Sequence, residues 1–384
     1  MLLTKIIDKL PWRIQTLLGY RPKKVITDIL KLDSKKIKWG EFVFDISVEP
    51  NVIHCENNGA SPFTELKNKV LLEKFATFYV VELEKCTYLN TYGYDTFIQN
   101  NCIIEPLSIR RDKSDFLGDF TKTHPALTIF KYPEKKILKG NVLNLCTMGA
   151  ENNYGHWTME LMPKIGYLTK LGFTFDDFEY ILINKHPWDF QKEMLSLIGL
   201  PKEKIIETSV GDCYYSEKMI VPSHDTFSMY GHSFLRNRFL DILNKSSLDK
   251  NTPKRIYVSR KNAKWSKVTN ENEIDKVLNK YNFEQIAFEN YSVLEQINFM
   301  NNADFVIGVQ GSGLINSIYQ KIGSKIIEIC NKNNIVLTYS IFGRYNHLNQ
   351  GVVFADPVPN ADSKYSDNLF IDPVKLENLI EKMI

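Results

Sequence analysis

Three segments of the chain set chemically capable side chains at spacings that let them act together. In ENNYGHWTMELMPKI (151–165), His156 and Glu160 are four residues apart and share one face if the stretch is helical. An imidazole and a carboxylate so placed suit general-base work, because either can take a proton from a hydroxyl near neutral pH. The same spacing also describes an ordinary surface pair. H-x-x-x-E lacks the second histidine of the H-E-x-x-H zinc pattern, so no metal ligand is assigned here. In KRIYVSRKNAKWSKVTNENEI (254–274), an apolar run ends at Ser259-Arg260-Lys261, and Lys264 and Lys267 follow. Open α/β sheets bind ligands at the carboxyl ends of their strands, and a guanidinium can hold two phosphate oxygens at once. A solvated basic loop would read the same way. In DFVIGVQGSGLINSIYQKIGSKIIEI (304–329), a strand runs into Gly311-Ser312-Gly313, which opens a helix, and the next strand carries Glu328. Glycine lets the backbone come close to a ligand, and the first helical amides offer it donors and partial positive charge. A diphosphate fits that need; a purely structural turn has the same composition.

Such residues need strands and helices to hold them. From about 146 the two alternate: FEYILIN (178–184) reads as a buried strand and WDFQKEMLSLIGL (188–200) as a helix ending at Gly199. IIET and KMIVP (218–222) follow as strands, and SFLRNRFLDILNK (233–245) as an amphipathic helix. Pro163 predicts a kink or break just after Glu160. The apolar-poor KSSLDKNTPK (245–254) marks a boundary, giving domains over 37–248 and 249–384. Beyond it come the strand RIYVSR and the helix NENEIDKVLNKY, capped by Thr269 or Asn270. The strand FEQIAFE then leads to the helix SVLEQINFMNNA, whose Ser292 and Glu295 form a capping box. DFVIGV, SKIIEIC and a last helix, DPVKLENLIEKMI, complete the series. Strands alternating with helices of this length imply βαβ units and a parallel sheet.

Upstream, residues 38–145 are strand-rich, with EFVFDISV, TFYVVEL and ALTIFKY separated by turn signals at Asn57-Asn58-Gly59 and Tyr92-Gly93. Residues 1–36 show apolar residues at helical spacing opposite Lys5, Lys9, Arg13, Arg21, Lys23 and Lys24, interrupted by Pro11. Such a segment either lies on a membrane surface or docks on the body of the protein.

A net charge of +3 over 384 residues, with no dense basic stripe, argues against a nucleic-acid partner. The six cysteines, at 55, 86, 102, 146, 213 and 330, form no C-x-x-C pair, so reduced thiols are expected rather than a disulfide framework or structural zinc. No window approaches the roughly 20 apolar residues of a membrane span. The opening MLLTKIIDKLPWRIQTLLGY is broken by charges before a secretory core can build. A soluble protein of the cytoplasm, with possible contact at the inner membrane face, is expected.

In order, the three segments resemble glycosyltransferase family 61. Its N-Y-x-H-W-x-x-E/D-x-L-P element is matched by Asn153-Tyr154-Gly155-His156-Trp157-Thr158-Met159-Glu160-Leu161-Met162-Pro163. R-I-Y-x-S-R is matched by Arg255 to Arg260. G-x-x-G-A-G-L-x-N is matched by Gly308 to Asn316, followed by Gly323 and Glu328. Gln310 stands where histidine is usual, Ser312 where alanine is, and Lys264 or Lys267 where an arginine often follows. Glutamine keeps hydrogen bonding but loses basicity. The resemblance implies a GT-B-like α/β architecture, two Rossmann-like domains facing across a cleft with a strand-rich N-terminal extension. It also implies inverting transfer from a nucleoside diphosphate sugar, often a UDP-sugar, to a glycan or lipid-linked acceptor in surface polysaccharide synthesis, with no cofactor or obligatory metal.

On that reading Glu160, then His156, is the base, and Asn153, Tyr154 and Trp157 lie on the acceptor side. Ser259, Arg260, Lys261, Lys264, Lys267, Gln310, Gly311, Ser312, Gly313, Leu314, Asn316 and Glu328 bind the donor. Two other classes remain: a nucleotide-sugar-binding module without turnover, and a nicotinamide-dependent oxidoreductase. Asn316 stands where the third glycine of G-x-G-x-x-G would fall, which counts against the latter.

Overall fold

The computed structural model describes residues 24–26, 29, 32–41, 53–55, 77–91, 94–108, 133–224, 229–263, 265–334, 343, 346–360 and 367–384. Residues 1–23 of the segment 1–36, Lys264, the turns at 57–59 and 92–93, and ALTIFKY lie outside them, and the described part of that segment holds a strand at Lys24–Ile26 and a 3-10 turn at Ser34–Lys36 in place of the expected helical face. In chain order the strands begin with β1 (Lys24–Ile26), β2 (Ile37–Glu41), β3 (Ile53–Cys55), β4 (Thr77–Thr91), β5 (Tyr94–Gln99), β6 (Cys102–Ile104) and β7 (Lys135–Asn144). Helices then interleave: α1 (Tyr154–His156), α2 (Pro163–Lys170), β8 (Tyr180–Asn184), α3 (Asp189–Ile198), β9 (Ile205–Thr208), β10 (Cys213–Pro222) and α4 (Met229–Lys245). Contacts gather the described residues up to 41 and from 77 to 231 into one compact unit. Residues 53–55 and those from 232 onward form a second. The division falls inside α4, upstream of the polar segment at 245–254.

The first unit holds a sheet in the order β1-β6-β5-β4-β10-β7-β8-β9, with β2 also paired to β4. Strands β10, β7, β8 and β9 run parallel. Ile181, Leu182 and Ile183 of β8 are wholly buried, as a strand covered on both faces requires. α3 ends at Gly199 in the left-handed region (φ 80°), where the Leu200 amide reaches back to the Leu195 carbonyl at 3.0 Å. The strand-rich N-terminal sequence is not a separate extension, because β4 pairs antiparallel with β10 from Cys213↔Leu89 to Pro222↔Val80. At one level β7 carries an extra residue at Gly140 (φ 97°), opposite the step from Ser216 to Lys218 on β10, and Lys85 (φ 50°) lies at that level on β4. Such a bulge raises the local twist of a sheet. Tyr88, Phe97 and Ile104 join Val142, Cys146 and Leu182 in one core.

The second unit is built on β11 (Arg255–Val258), α5 (Glu271–Lys280), β12 (Glu284–Ile286), α6 (Val293–Asn302), β13 (Phe305–Val309) and β14 (Lys325–Asn331). It is completed by β15 (Asn349–Val358), β16 (Asn368–Phe370) and α7 (Pro373–Met383). The sheet order is β12-β11-β13-β14-β15-β16, with β3 also on β15, and β12 through β15 are parallel. Ile274 and Leu278 of α5 and Leu376 and Ile380 of α7 pack with Ile307, Ile327 and Val353 of the sheet. Each such side chain contributes about 1.5–3 kcal/mol by leaving water. α6 carries the predicted capping box on Ser292 and Glu295. At α5 the side chain of Asn270 does not cap; it exchanges bonds with the amide and carbonyl of Ile371, tying the helix to the chain after β16.

Two elements differ from the sequence expectation. Trp157–Leu161 continues α1 as a π-turn, in which the Met162 amide reaches the Trp157 carbonyl at 3.0 Å. Pro163 supplies the cause: it has no amide to donate and its ring crowds the carbonyl four residues back, so the ladder re-registers and α2 restarts on the proline. Ser312–Tyr319, expected as the start of an α-helix, is wound as a 3-10 helix. Leu314 through Tyr319 are all buried, and Leu314 fills the space beside Gly308, where a Cβ would come within 2.6 Å of it. No polar stripe turns outward there to favour the 3.6-residue period. Because the Leu314 amide already donates to the Gly311 carbonyl, the amides of Ser312 and Gly313 are the donors the turn leaves without a helical partner.

Candidate active site

Each parallel set has one topological switch point, where successive crossovers leave a strand in opposite directions and open a crevice at the carboxyl ends. In the first unit the order β10-β7-β8-β9 places it between β7 and β10. The residues just beyond those ends are 145–150 after β7, and Ser223 and His224 after β10. His156 is carried there by α1, which starts at Asn153, whose side chain accepts from the amides of Gly155 (2.7 Å) and His156 (3.3 Å). The following π-turn keeps Glu160 on the same face: His156 Nδ1 lies 2.8 Å from Glu160 Oε1. The other carboxylate oxygen, Oε2, is 3.5 Å from His224 Nε2. One carboxylate therefore meets two imidazoles, from a helix and from a strand end. Gly149 (φ 82°) completes the wall, since a Cβ there would come within 2.9 Å of His156 Cδ2.

The polarity beneath this trio is unusual for an interior. Lys164 is only 4% exposed and donates to the carbonyls of Cys146 (2.7 Å) and Leu145 (3.4 Å). Burial lowers its pKa, against the pull of Asp95, Cys146 and Glu160. Asp95, buried on β5, accepts from Tyr88 Oη at 2.5 Å. Its pKa is raised by burial, with Tyr88, Lys164 and the Met148 amide opposing. His224 is pushed down to about 4 by burial; Glu160 opposes that shift, and Lys164 and His156 add to it. It is a neutral imidazole at physiological pH. With Nδ1 turned to Glu160, Nε2 of His156 is the nitrogen able to take a substrate proton, and the carboxylate fixes the tautomer and can stabilise the imidazolium that results. Of the residues expected on the acceptor side, Asn153 caps α1, Tyr154 packs on Phe190 with ring centres 5.1 Å apart, and Trp157 is wholly buried in the core.

In the second unit the order β12-β11-β13-β14-β15 puts the switch point between β11 and β13. Arg260 follows the first of these strands and Gln310-Gly311 the second. Arg260 Nη2 donates to the Trp265 carbonyl at 2.8 Å and Nε to that of Ser266 at 3.3 Å. Its Nη1 lies directly over Gly311, where any Cβ would collide with it. The glycine is thus required by the guanidinium, and the two predicted elements meet. Gln310 donates to Glu328 at 2.6 Å, fixing a carboxylate that is 3% exposed. Asn316 donates to Gln296 at 3.0 Å in the interior and so holds the 3-10 turn to α6. Leu314 fills the space beside Gly308, and a Cβ at Gly313 would come within 3.1 Å of Val258 Cγ1, so both positions lie close against the sheet. Ser259, nearly buried, accepts from the Lys261 amide at 3.2 Å. Ser312 is half-buried and Lys261 exposed. Lys267 is exposed as well, and its backbone is pinned to Asn368 and Leu369.

Sequence reasoning missed His224, Lys164, Asp95 and Gln296. Only His224 left a signal, as the first titratable residue past the predicted strand KMIVP.

Residues 154–327 match the family model for Glycosyltransferase 61. The chain is similar to that family over the stretch that carries His156, Glu160, Arg260 and Gly311, with Asn153 and Glu328 just outside it. No curated protein matches it. Similarity to glycosyltransferase 61 supports transferase activity, in which a sugar passes from a donor to an acceptor.

Proposed function

We propose that the chain is an inverting, GT-B-like glycosyltransferase that takes a sugar from a nucleoside diphosphate donor, a UDP-sugar in the first instance. The acceptor is a glycan or lipid-linked sugar of a surface polysaccharide, the setting the family resemblance suggests. The observation that carries the reading is that each unit places its family-matched residues at its own switch point. The two constellations differ in chemistry. The first unit offers a base, the second a guanidinium beside two helical amides. The acceptor hydroxyl gives its proton to His156 Nε2 while its oxygen attacks the anomeric carbon. Glu160 orients the ring and offsets the positive charge it gains. The sugar–phosphate bond breaks, and Arg260, a neighbouring lysine and the amides of Ser312 and Gly313 take up the charge of the departing diphosphate. Assigning Glu160 as orienter rather than base follows from its burial, its side chain being 7% exposed against 18% for His156.

We propose further that no metal is obligatory, since the sequence near the nucleotide segment has no D-x-D-like pair. Donor identity is tested by calorimetric titration with UDP, GDP, CMP and NAD; tight binding of NAD alone would point to an oxidoreductase. With the donor so found, His156→Asn and Glu160→Gln are expected to lower turnover by about 10²–10⁴, the usual worth of a positioned base, while leaving nucleotide affinity nearly intact. Activity is expected to persist in EDTA. Turnover at the wild-type rate in both variants would remove the pair from the mechanism.

A further inference from the structure

The loop after β11 carries an exposed aromatic one bond away from the guanidinium assigned to phosphate. Trp265 is 36% exposed, although large apolar side chains are usually covered. Its backbone is anything but loose. The Trp265 carbonyl accepts from Arg260 Nη2 at 2.8 Å, and that of Ser266 from Nε at 3.3 Å. Ser266 adopts a left-handed conformation (φ 52°), a cost that a slack loop would not sustain. Just beyond, the Lys267 amide donates to Asn368 Oδ1 at 3.1 Å, the Leu369 amide donates to the Lys267 carbonyl at 2.8 Å, and Val268 bridges to Leu369. The indole thus stands on a loop fixed at Trp265 itself and at the residues that follow it, at the carboxyl edge of a parallel sheet and beside its switch point.

A nucleoside diphosphate presents two features to such an edge, an anionic diphosphate and a flat base. Arg260 answers the first. An indole is large, rigid and apolar on its faces, and it answers the second without needing donors or acceptors matched to a particular base. We propose that Trp265 is the stacking platform for the base of the nucleoside diphosphate, and that the Arg260 bond to its carbonyl sets the platform relative to the diphosphate. This rests on the reading of Arg260 as a diphosphate ligand. Stacking is tolerant of base identity, so Trp265 contributes to uracil and guanine nucleotides alike, and any preference between them comes from other residues.

The test uses calorimetry on the full chain with three probes: UDP, GDP and inorganic pyrophosphate. W265A is expected to weaken UDP and GDP by roughly 5- to 150-fold, the range for losing one base–aromatic stack, and to leave pyrophosphate unchanged. W265F, which keeps a smaller ring, is expected to recover most of the loss. R260A is expected to weaken all three. UDP affinity unchanged in W265A but reduced in R260A would overturn the stacking role and leave the Arg260 reading standing. An equal loss for pyrophosphate and UDP in W265A would show that Trp265 acts only by holding Arg260, which also overturns it. No binding of any probe to the wild-type chain, or equal binding by R260A, would overturn both.

Discussion

His224 is the residue whose charge state couples the site most directly to folding. Burial holds its folded pKa at about 4, against roughly 6.5 in an unfolded chain. Between those values the unfolded state binds a proton that the native state does not, so native stability falls as pH drops from about 6.5 to about 4 and changes no further below that on this residue's account. The largest loss is on the order of 3 kcal/mol. Asp95, whose pKa burial raises, acts in the opposite sense in acid, because the native state takes up its proton first. The comparison that isolates the histidine is therefore wild type against His224→Asn, which cannot titrate. Melting temperatures measured from pH 7 to 4 are expected to fall more steeply for the wild type. Parallel profiles would mean that His224 is not held neutral by the fold. Nearby, Lys164 and Asp95 bring two more buried ionisable groups under Glu160, so the carboxylate sits among charges the protein fixes rather than in water.

Two glycines show how the same substitution has different consequences on different elements. At Gly311 an added Cβ meets first the Arg260 guanidinium, the far end of a flexible side chain. Gly311→Ala is expected to leave the melting temperature nearly unchanged and to lower nucleoside diphosphate affinity by displacing Arg260, as calorimetry would read. At Gly308 on β13 the Cβ would come within 2.6 Å of Leu314 Cδ2 and 3.3 Å of Val258 Cβ, both in the core. Gly308→Ala is expected to cost about 1–3 kcal/mol of stability by overpacking, seen as a lower denaturant midpoint. The elements themselves were legible in the sequence where their signals are local. Ser292 and Glu295 mark α6, Gly199 closes α3, and the apolar runs of β8 and β13 lie where their composition puts them. The π-turn was visible only as a break at Pro163, because re-registration depends on what the freed carbonyl finds next. The 3-10 winding after Gly311 was hidden, since it follows from burial on all sides and not from any residue type. The irregularity at Gly140 opposite Ser216–Lys218 could not be read at all, because it exists only once β7 and β10 are side by side. His224 was missed for the same reason: its meeting with Glu160 depends on β10 lying next to β7.

For the whole molecule, +3 of net charge is too little to define partners by itself, so where the charge sits matters more than its sum. Among the described residues no helix is long and apolar enough to cross a membrane. The segment of residues 1–23 combines Leu2, Leu3, Ile6, Ile7, Leu10, Trp12, Leu17 and Leu18 with Lys5, Lys9, Arg13, Arg21 and Lys23. Apolar area and positive charge then act in the same direction on an anionic bilayer, the first by burial at the acyl boundary and the second by attraction to the headgroups. An enzyme acting on a lipid-linked acceptor would gain from being held at that surface. Deleting residues 1–23 tests this while keeping β1, which starts at Lys24 and pairs with β6 from Lys24↔Cys102. The full chain is expected to co-sediment with vesicles containing phosphatidylserine, and the truncated chain to lose most of that binding while keeping its melting temperature and its affinity for UDP. The electrostatic share should vanish in about 1 M salt, where the screening length is about 3 Å, and the apolar share should persist. If truncation leaves vesicle binding unchanged, the attraction comes from the body of the protein. If it instead lowers the melting temperature by several degrees, the segment is a docked structural element, and its basic residues serve the surface of the fold rather than a membrane.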